Sequence, residues 1–295
     1  MKLLINPEGG MSGDMFSAAL ISAGADFDMM RKYMLGAGEK LGTALIEVVT
    51  AHDSSTQLRI DLKPKHEHLS ANEARNIISE LFYHLDVPKK YRELGMNILE
   101  ILIKAEKRAH KEFHIVIEPS HHHDHQHHDQ SLHTHEHIHD PHHDHHSHEH
   151  EHDHDHDHHR KHSHNGSEES FLHEAQDIVI DVMGAVAGML QLEIEPEAEL
   201  LCPVSVGGGH VHCSHGVLNV PAPAVSVILE EYNLEWKKGP IEKELFTPTG
   251  AAILAALDSK LNPSIDLNTL NIVARGKSRG SKILEISPME VILYK

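Results

Sequence analysis

The chain has 295 residues, 39% apolar and 24% charged, enough for a real hydrophobic core. Two values are abnormal, 33 histidines and a formal net charge of −19. That charge argues against a nucleic acid, which needs clustered Lys and Arg, and against an anionic membrane surface; two cysteines, Cys202 and Cys213, do not make a disulfide framework.

Residues 1–6 are a short apolar run that meets Pro7 and Glu8 without a basic region or cleavage site, so they do not read as a signal peptide. No apolar run is long enough to span a membrane, and a cytoplasmic address is expected. Residues 2–6 read as a strand, residues 9–14 as a glycine-rich turn and residues 15–23 as a helix closed near Gly24. Residues 45–50 and 58–62 alternate like paired strands. Ser70 and Glu73 have capping-box spacing, with Ala74, Ile77, Ile78, Leu81 and Leu85 on one helical face behind them. A second helix is expected from Pro88, with a stripe of Leu94, Ile98, Ile101, Leu102, Ala105 and Ala109.

Residues 121–164 hold 23 of the 33 histidines and ten Asp or Glu, with almost nothing apolar. Such a tract cannot offset its ordering entropy by burial, so disorder is expected without metal. Alternating patterns such as His152, His154 and His156 with Asp153 and Asp155, and runs such as His121, His122 and His123, place imidazoles where a flexible chain can wrap them round a divalent transition metal. Binding should fail as the imidazoles protonate, near or below pH ~6.5.

Beyond the insert, residues 177–190 read as a helix and 200–206 as a strand ending in Gly207, Gly208 and Gly209. A loop carrying His210, His212, Cys213 and His215 imitates a compact metal site. Residues 221–231 and 249–257 read as helices, and 270–274, 283–286 and 291–293 as short strands. The fold class expected is α/β, mixed α+β included, with two folded segments (1–118 and 171–295) flanking a disordered histidine-rich insert (119–170).

Three folded motifs carry possible chemistry. The turn at Gly9–Asp14 follows a strand and opens a helix, so it can present N–H groups to an anion, with Ser12 donating and Asp14 holding a divalent ion; a plain capped turn fits equally. It is neither a Walker motif nor a dinucleotide fingerprint. Asp177 and Asp181, four apart, share one face of an otherwise apolar helix, a costly arrangement unless paired or metal-bound, though a solvent-facing N-terminus is the bland alternative, above all for Asp177. Thr247, Thr249 and Gly250 lie at a helix start that can cap itself or take an anion.

Taken together these segments resemble the nickel insertion proteins that mature the nickel-pincer cofactor of lactate racemase. The matching stretches are Gly10 to Met15, His173-Glu174, Asp177 to Gly184, His215-Gly216 with Val220 to Ala224, and Glu244 through Thr247 to Ala252, in that order, with a histidine-rich insert after the first. Asn6 stands where the family usually has an aspartate.

The resemblance implies a nickel chelatase (cyclometallase), a lyase. It inserts Ni2+ into pyridinium-3,5-bisthiocarboxylic acid mononucleotide with one nickel–carbon and two nickel–sulfur bonds, consuming CTP with Mn2+ or Mg2+. Asp14, Asp181, His215 and Glu244 are then the catalytic candidates. Gly10, Ser12, Gly13, Thr247, Thr249 and Gly250 are candidates for gripping the mononucleotide phosphate. His173, Glu174, His210 and His212 are candidate ligands beside the tract. Full-length members carry a further C-terminal domain, where CTP is expected, so a separate C-terminal domain, a lactate-racemase-type acceptor and a homo-oligomer are the expected partners. The alternatives are a nickel or zinc storage protein or metallochaperone without catalysis, and a nucleotide-dependent hydrolase with an incidental tract.

Overall fold

The structure, a computed structural model, describes residues 1–66, 68–112, 171–172, 176–213 and 216–295, and of 171, 212 and 213 the backbone alone. Met1–Ile117 and Glu168–Lys295 form one compact unit. The expected disorder of the insert falls outside the described residues.

Among these residues β1 (Lys2–Asn6) leads into α1 (Gly13–Ser22) and α2 (Phe27–Leu41), and β2 (Gly42–Thr50) and β3 (Thr56–Pro64) form a hairpin. Then come β4 (Leu69–Ser70), α3 (Ala71–His84) and α4 (Lys89–Glu112). After the insert follow β5 (Phe171–Leu172), α5 (Ile178–Gln191), β6 (Ala198–Leu200), β7 (Val204–Gly207), β8 (His210–Cys213), β9 (Gly216–Asn219) and α6 (Pro223–Glu231). The order closes with β10 (Trp236–Lys238), α7 (Pro248–Ala256), β11 (Lys260–Leu261), β12 (Ile272–Ser278) and β13 (Met289–Tyr294). The class is the mixed α/β fold expected from the alternation of strands and helices.

Seven strands form one mixed sheet in the order β11-β6-β1-β13-β12-β3-β2. β1 runs antiparallel to β13, from Lys2↔Tyr294 to Asn6↔Glu290, and parallel to β6. Strand alternation then divides the side chains. Leu3 and Ile5 of β1 and Val291 and Leu293 of β13 enter the main core under the helices. Leu4, Ile292 and Tyr294 face the other way, covered by Leu201, Ile265, Leu267, Leu270 and Ile272. β3 meets β12 at one register pair, Ser278↔Thr56, so the β2–β3 hairpin is only lightly joined to the rest of the sheet.

α5 is the central helix. It packs against α1, α2 and α4, and every residue from Ile178 to Met189 is buried. A helix apolar all round belongs in an interior, which is why its two acids stand out. α3 begins with the expected reciprocal capping box of Ser70 and Glu73. α2 was not expected. Its buried residues Met30, Tyr33, Met34, Ala37 and Leu41 have helical spacing, but glycines at 36 and 38 dilute the pattern.

Three other expectations change. Residues 200–206 divide into β6, in the large sheet, and β7, paired with β10. Pro203 has no N–H for a ladder, and Cys202 Sγ turns to donate to Asn6 Oδ1 at 3.3 Å. Residues 210–213 form β8, paired antiparallel with β9, rather than a loop. Residues 283–286 are irregular, with the Leu284 carbonyl accepting from Arg279 Nη1 at 3.2 Å.

Candidate functional site

The turn after β1 and the segment leading into α7 are stitched together through their backbones. Met11 N donates to the Leu245 carbonyl at 2.8 Å, and Thr247 N donates to the Met11 carbonyl at 3.2 Å. Gly10 has φ +82°, and a Cβ there would strike the Leu245 carbonyl, so the close approach requires glycine. Gly13 N donates to Thr249 Oγ1 at 3.3 Å, and Gly250 N to Thr247 Oγ1, also at 3.3 Å. Gly10 N returns to the Pro7 carbonyl at 3.0 Å. The six residues Gly10, Ser12, Gly13, Thr247, Thr249 and Gly250 are thus brought together, with most of their amide donors already spent on protein acceptors. The Ser12 hydroxyl donates to Asp14, and the Asp14 carboxylate also accepts from the N–H of Met15.

Beneath this junction three carboxylates meet. Asp14 lies in the first turn of α1 and Asp181 in the first turn of α5. Asp177 occupies the cap position of α5, but its side chain makes no capping hydrogen bond. All three line one groove of about 630 Å3, together with Glu47, Arg59 and Asp61 of the hairpin. Asp181 is 6% exposed, and a Cβ on Gly13 would overlap its carboxylate, so that glycine makes room for the acid. Its Oδ1 is buried without a hydrogen-bond partner among the described residues.

Burial, then the charges of Asp177 and Asp14, push the Asp181 carboxyl well above the usual carboxylate range, against a hydrogen bond from Thr249. Burial raises Asp14 as well, opposed by the Ser12 hydroxyl. Burial and the Asp14 charge raise Asp177. Like charges this close cannot all ionise cheaply, so the trio favours holding a proton or a cation. Its all-oxygen donor set and orphaned Oδ1 fit a hard ion such as Mg2+ or Mn2+. No group of three or more His, Cys, Asp or Glu among the described residues is already disposed as a metal cage.

A second cavity, of about 170 Å3, shares Asp14 and Ser281 with the groove. Residues 278–282 (Ser-Arg-Gly-Ser-Lys) form one wall, and Ser12, Glu244 and Thr247 also line it. That wall is braced to the hairpin. Arg279 Nε donates to Asp53 Oδ2 at 2.6 Å, Arg279 N to the Thr56 carbonyl at 3.0 Å, and Gln57 Nε2 to the Gly280 carbonyl at 2.7 Å. Burial pushes Asp53 up, but the Ser55 hydroxyl and the Arg279 guanidinium outweigh it and hold the carboxyl well below the usual range.

Among the sequence candidates, Asp14, Asp181 and Glu244 therefore converge with the two glycine–threonine turns. His210 is exposed on β8 and lines neither cavity. His212 lies on the same strand, its side chain outside the description. His215, His173, Glu174 and the tract residues His121, His122, His123, His152, His154 and His156 lie outside the described residues. Sequence reasoning missed residues 278–282. Their signal was two cations and two serines within five residues of a chain that is strongly acidic overall.

A cleft at one end of an α/β sheet, with three acids clustered in one chamber and charges of both signs in the other, is the build of a protein that binds a charged small molecule. The chain belongs to the nickel insertion protein family, whose profile matches residues 3–130 and 111–289. It is 25% identical over 288 residues, 96% of this chain and 57% of the relative, to a pyridinium-3,5-bisthiocarboxylic acid mononucleotide nickel insertion protein of Staphylococcus saprophyticus. It is 26% identical over 268 residues, 85% of this chain and 51% of the relative, to one so named from Alkaliphilus metalliredigens. A third of that name, from Clostridium kluyveri, is 39% identical over 120 residues, 40% of this chain and 28% of the relative. The chain spans about half the length of the curated relatives it matches along most of its own length. No solved structure matches it.

Proposed function

We propose that this chain inserts nickel, as a substrate, into pyridinium-3,5-bisthiocarboxylic acid mononucleotide to make the nickel-pincer cofactor. One observation carries the reading: three separated family-like stretches, at 10–15, 177–184 and 244–252, meet round the Asp181 carboxylate and its unpartnered oxygen. Forming the nickel–carbon bond breaks a ring C–H bond, and the released proton needs a base beside the ring. A carboxylate whose affinity for protons is raised by burial suits that task once the incoming Ni2+ has displaced the proton it holds in the free protein. Asp181 is the base we assign, with Asp14 and Glu244 within the same cleft.

A Mg2+ or Mn2+ ion would be held by Asp14 and Asp177 and would supply charge neutralisation there. CTP consumption, the lactate-racemase-type acceptor and a C-terminal domain belong to the same proposal, the last to the half of the relatives that this chain does not span. No helix among the described residues is long and apolar enough to cross a membrane. Storage or delivery of nickel or zinc without chemistry is the second reading, favoured by the 23 histidines of residues 121–164.

The test incubates the full chain with Ni2+, CTP with Mn2+ and the bisthiocarboxylate mononucleotide, and reads the nucleotide by mass spectrometry. One nickel gained per nucleotide, lost in Asp181→Asn, supports insertion. Nickel bound to the protein with none on the nucleotide, even after adding a C-terminal domain from a relative, supports storage.

A further inference from the structure

We propose that residues 278–282 form a cradle for the phosphomonoester of a mononucleotide whose ring is cationic. The nickel-insertion reading supplies the identity of that nucleotide, and the cradle itself stands on the geometry of the smaller cavity. Ser278 is fully buried at the end of β12, lines this cavity, and its hydroxyl has no hydrogen-bond partner among the described residues. Buried hydroxyls are nearly always bonded, so an orphan at a cavity wall marks where a ligand acceptor belongs. Lys282 and Ser281 are exposed on the same wall, and Lys282 has no ion pair among the described residues.

Arg279 completes the wall. Its Nε and Nη1 are committed to Asp53 and the Leu284 carbonyl, which fixes the plane of the guanidinium. The competing anion site, the glycine turn after β1, has spent its Gly10, Met11 and Gly13 amides on Pro7, Leu245 and Thr249.

The cavity has apolar lining at Met15, Leu245, Leu284, Ile286 and Pro288, with charged groups of both signs among it. Asp14 and Glu244 line it together with Arg279 and Lys282. A dianionic phosphate is attracted to the cations and repelled by the acids, whereas a pyridinium ring behaves oppositely. The ligand is thereby favoured with its phosphate at 278–282 and its ring at Asp14; this cavity adjoins the groove of Asp181 through Asp14 and Ser281. A nucleoside triphosphate shares the phosphate chemistry but has no cationic ring to place beside Asp14.

The test uses calorimetric titration of the full chain with nicotinic acid mononucleotide, its riboside lacking phosphate, and CTP, in the native protein, Lys282→Glu and Ser278→Ala. Lys282 is exposed and Ser278→Ala removes only an unbonded buried hydroxyl, so neither variant should melt below the native chain. The cradle predicts that Lys282→Glu weakens the mononucleotide about tenfold or more and Ser278→Ala about threefold, with the riboside weak and indifferent to both. Mononucleotide binding unchanged in both variants, or a riboside that binds as tightly as the mononucleotide, overturns it. CTP that displaces the mononucleotide with higher affinity and the same dependence on Lys282 assigns the wall to a triphosphate and also overturns it. Nickel insertion separates the two proposals. If it persists in Lys282→Glu but not Asp181→Asn, the cradle fails alone. If the mononucleotide binds through Lys282 but no nickel enters it, the insertion reading fails alone.

Discussion

The α3–α4 pair and the first turn of α5 are both helical and both lean on the main core, yet they treat charge differently. In the pair, Ser70 and Glu73 cap α3 reciprocally, and Arg75 meets Glu100 across the helices at 2.5 Å with both side chains one-third exposed. Its apolar residues sit on one stripe and its acids reach water. α5 instead starts with Asp177 and Asp181 facing Asp14, and leaves one oxygen of Asp181 buried and unbonded. Where every local rule agrees, the element is scaffold. Where one is broken at a cost, the cost is retained for a ligand or a reaction.

That contrast can be broken by mutation. In the scaffold, Phe82 is 1% exposed over Gly95 of α4. Phe82→Ala should cost about 3–5 kcal/mol of stability in chemical denaturation and leave nickel insertion per folded molecule unchanged. A specific activity that falls in step with stability would make the pair part of the site.

Asp181→Asn should do the reverse, lowering insertion by roughly a hundredfold, about 2.7 kcal/mol on the barrier, while raising the melting temperature at neutral pH. The direction follows from its raised folded-state pKa. Above the unfolded value of about 4, the folded chain keeps a proton that the unfolded chain releases, so native stability falls as pH rises. The variant's advantage should therefore grow between pH 4 and pH 7. An equal difference in melting temperature at both would show that the carboxyl titrates normally.

Gly13→Ala tests whether the glycine exists for the acid. The added methyl overlaps Asp181 and should cost about 1–3 kcal/mol, against the gain that alanine brings to a helix. In Asp14→Ala the Asp181 overlap remains, so the cost of Gly13→Ala should persist there; its disappearance would locate the strain at Asp14 instead. The smallest effect is Ser70→Ala, about 1 kcal/mol from the lost cap, with insertion unaltered.

The scaffold was largely legible because its signals are local. The Ser70–Glu73 spacing, the alternation at 45–50 and 58–62, and the stripe of α4 each depend on residues a few positions apart. Strand order was not legible, since β1 pairs with β13 across almost the whole chain and nothing in either strand specifies the other. The site divides likewise. Asp14, Asp181, Thr249 and Glu244 were reached through the family-like motifs. Residues 278–282 drew no reading from the sequence, because only the fold brings the end of β12 to a cavity that Glu244 also lines. Asp177 was read mainly as a helix cap, because only the fold shows that Asp14 lies beside it.

The central place of β13, between β1 and β12, also sets an order in time. A ribosome finishes the imidazole tract at residue 164 some 125 residues before it reaches Met289, on the order of ten seconds at ordinary elongation rates. Throughout that interval β1 lacks its antiparallel neighbour, and the wall at 278–282 either does not exist or has no strand behind it. The nascent chain therefore carries its complete histidine tract before it owns a cleft.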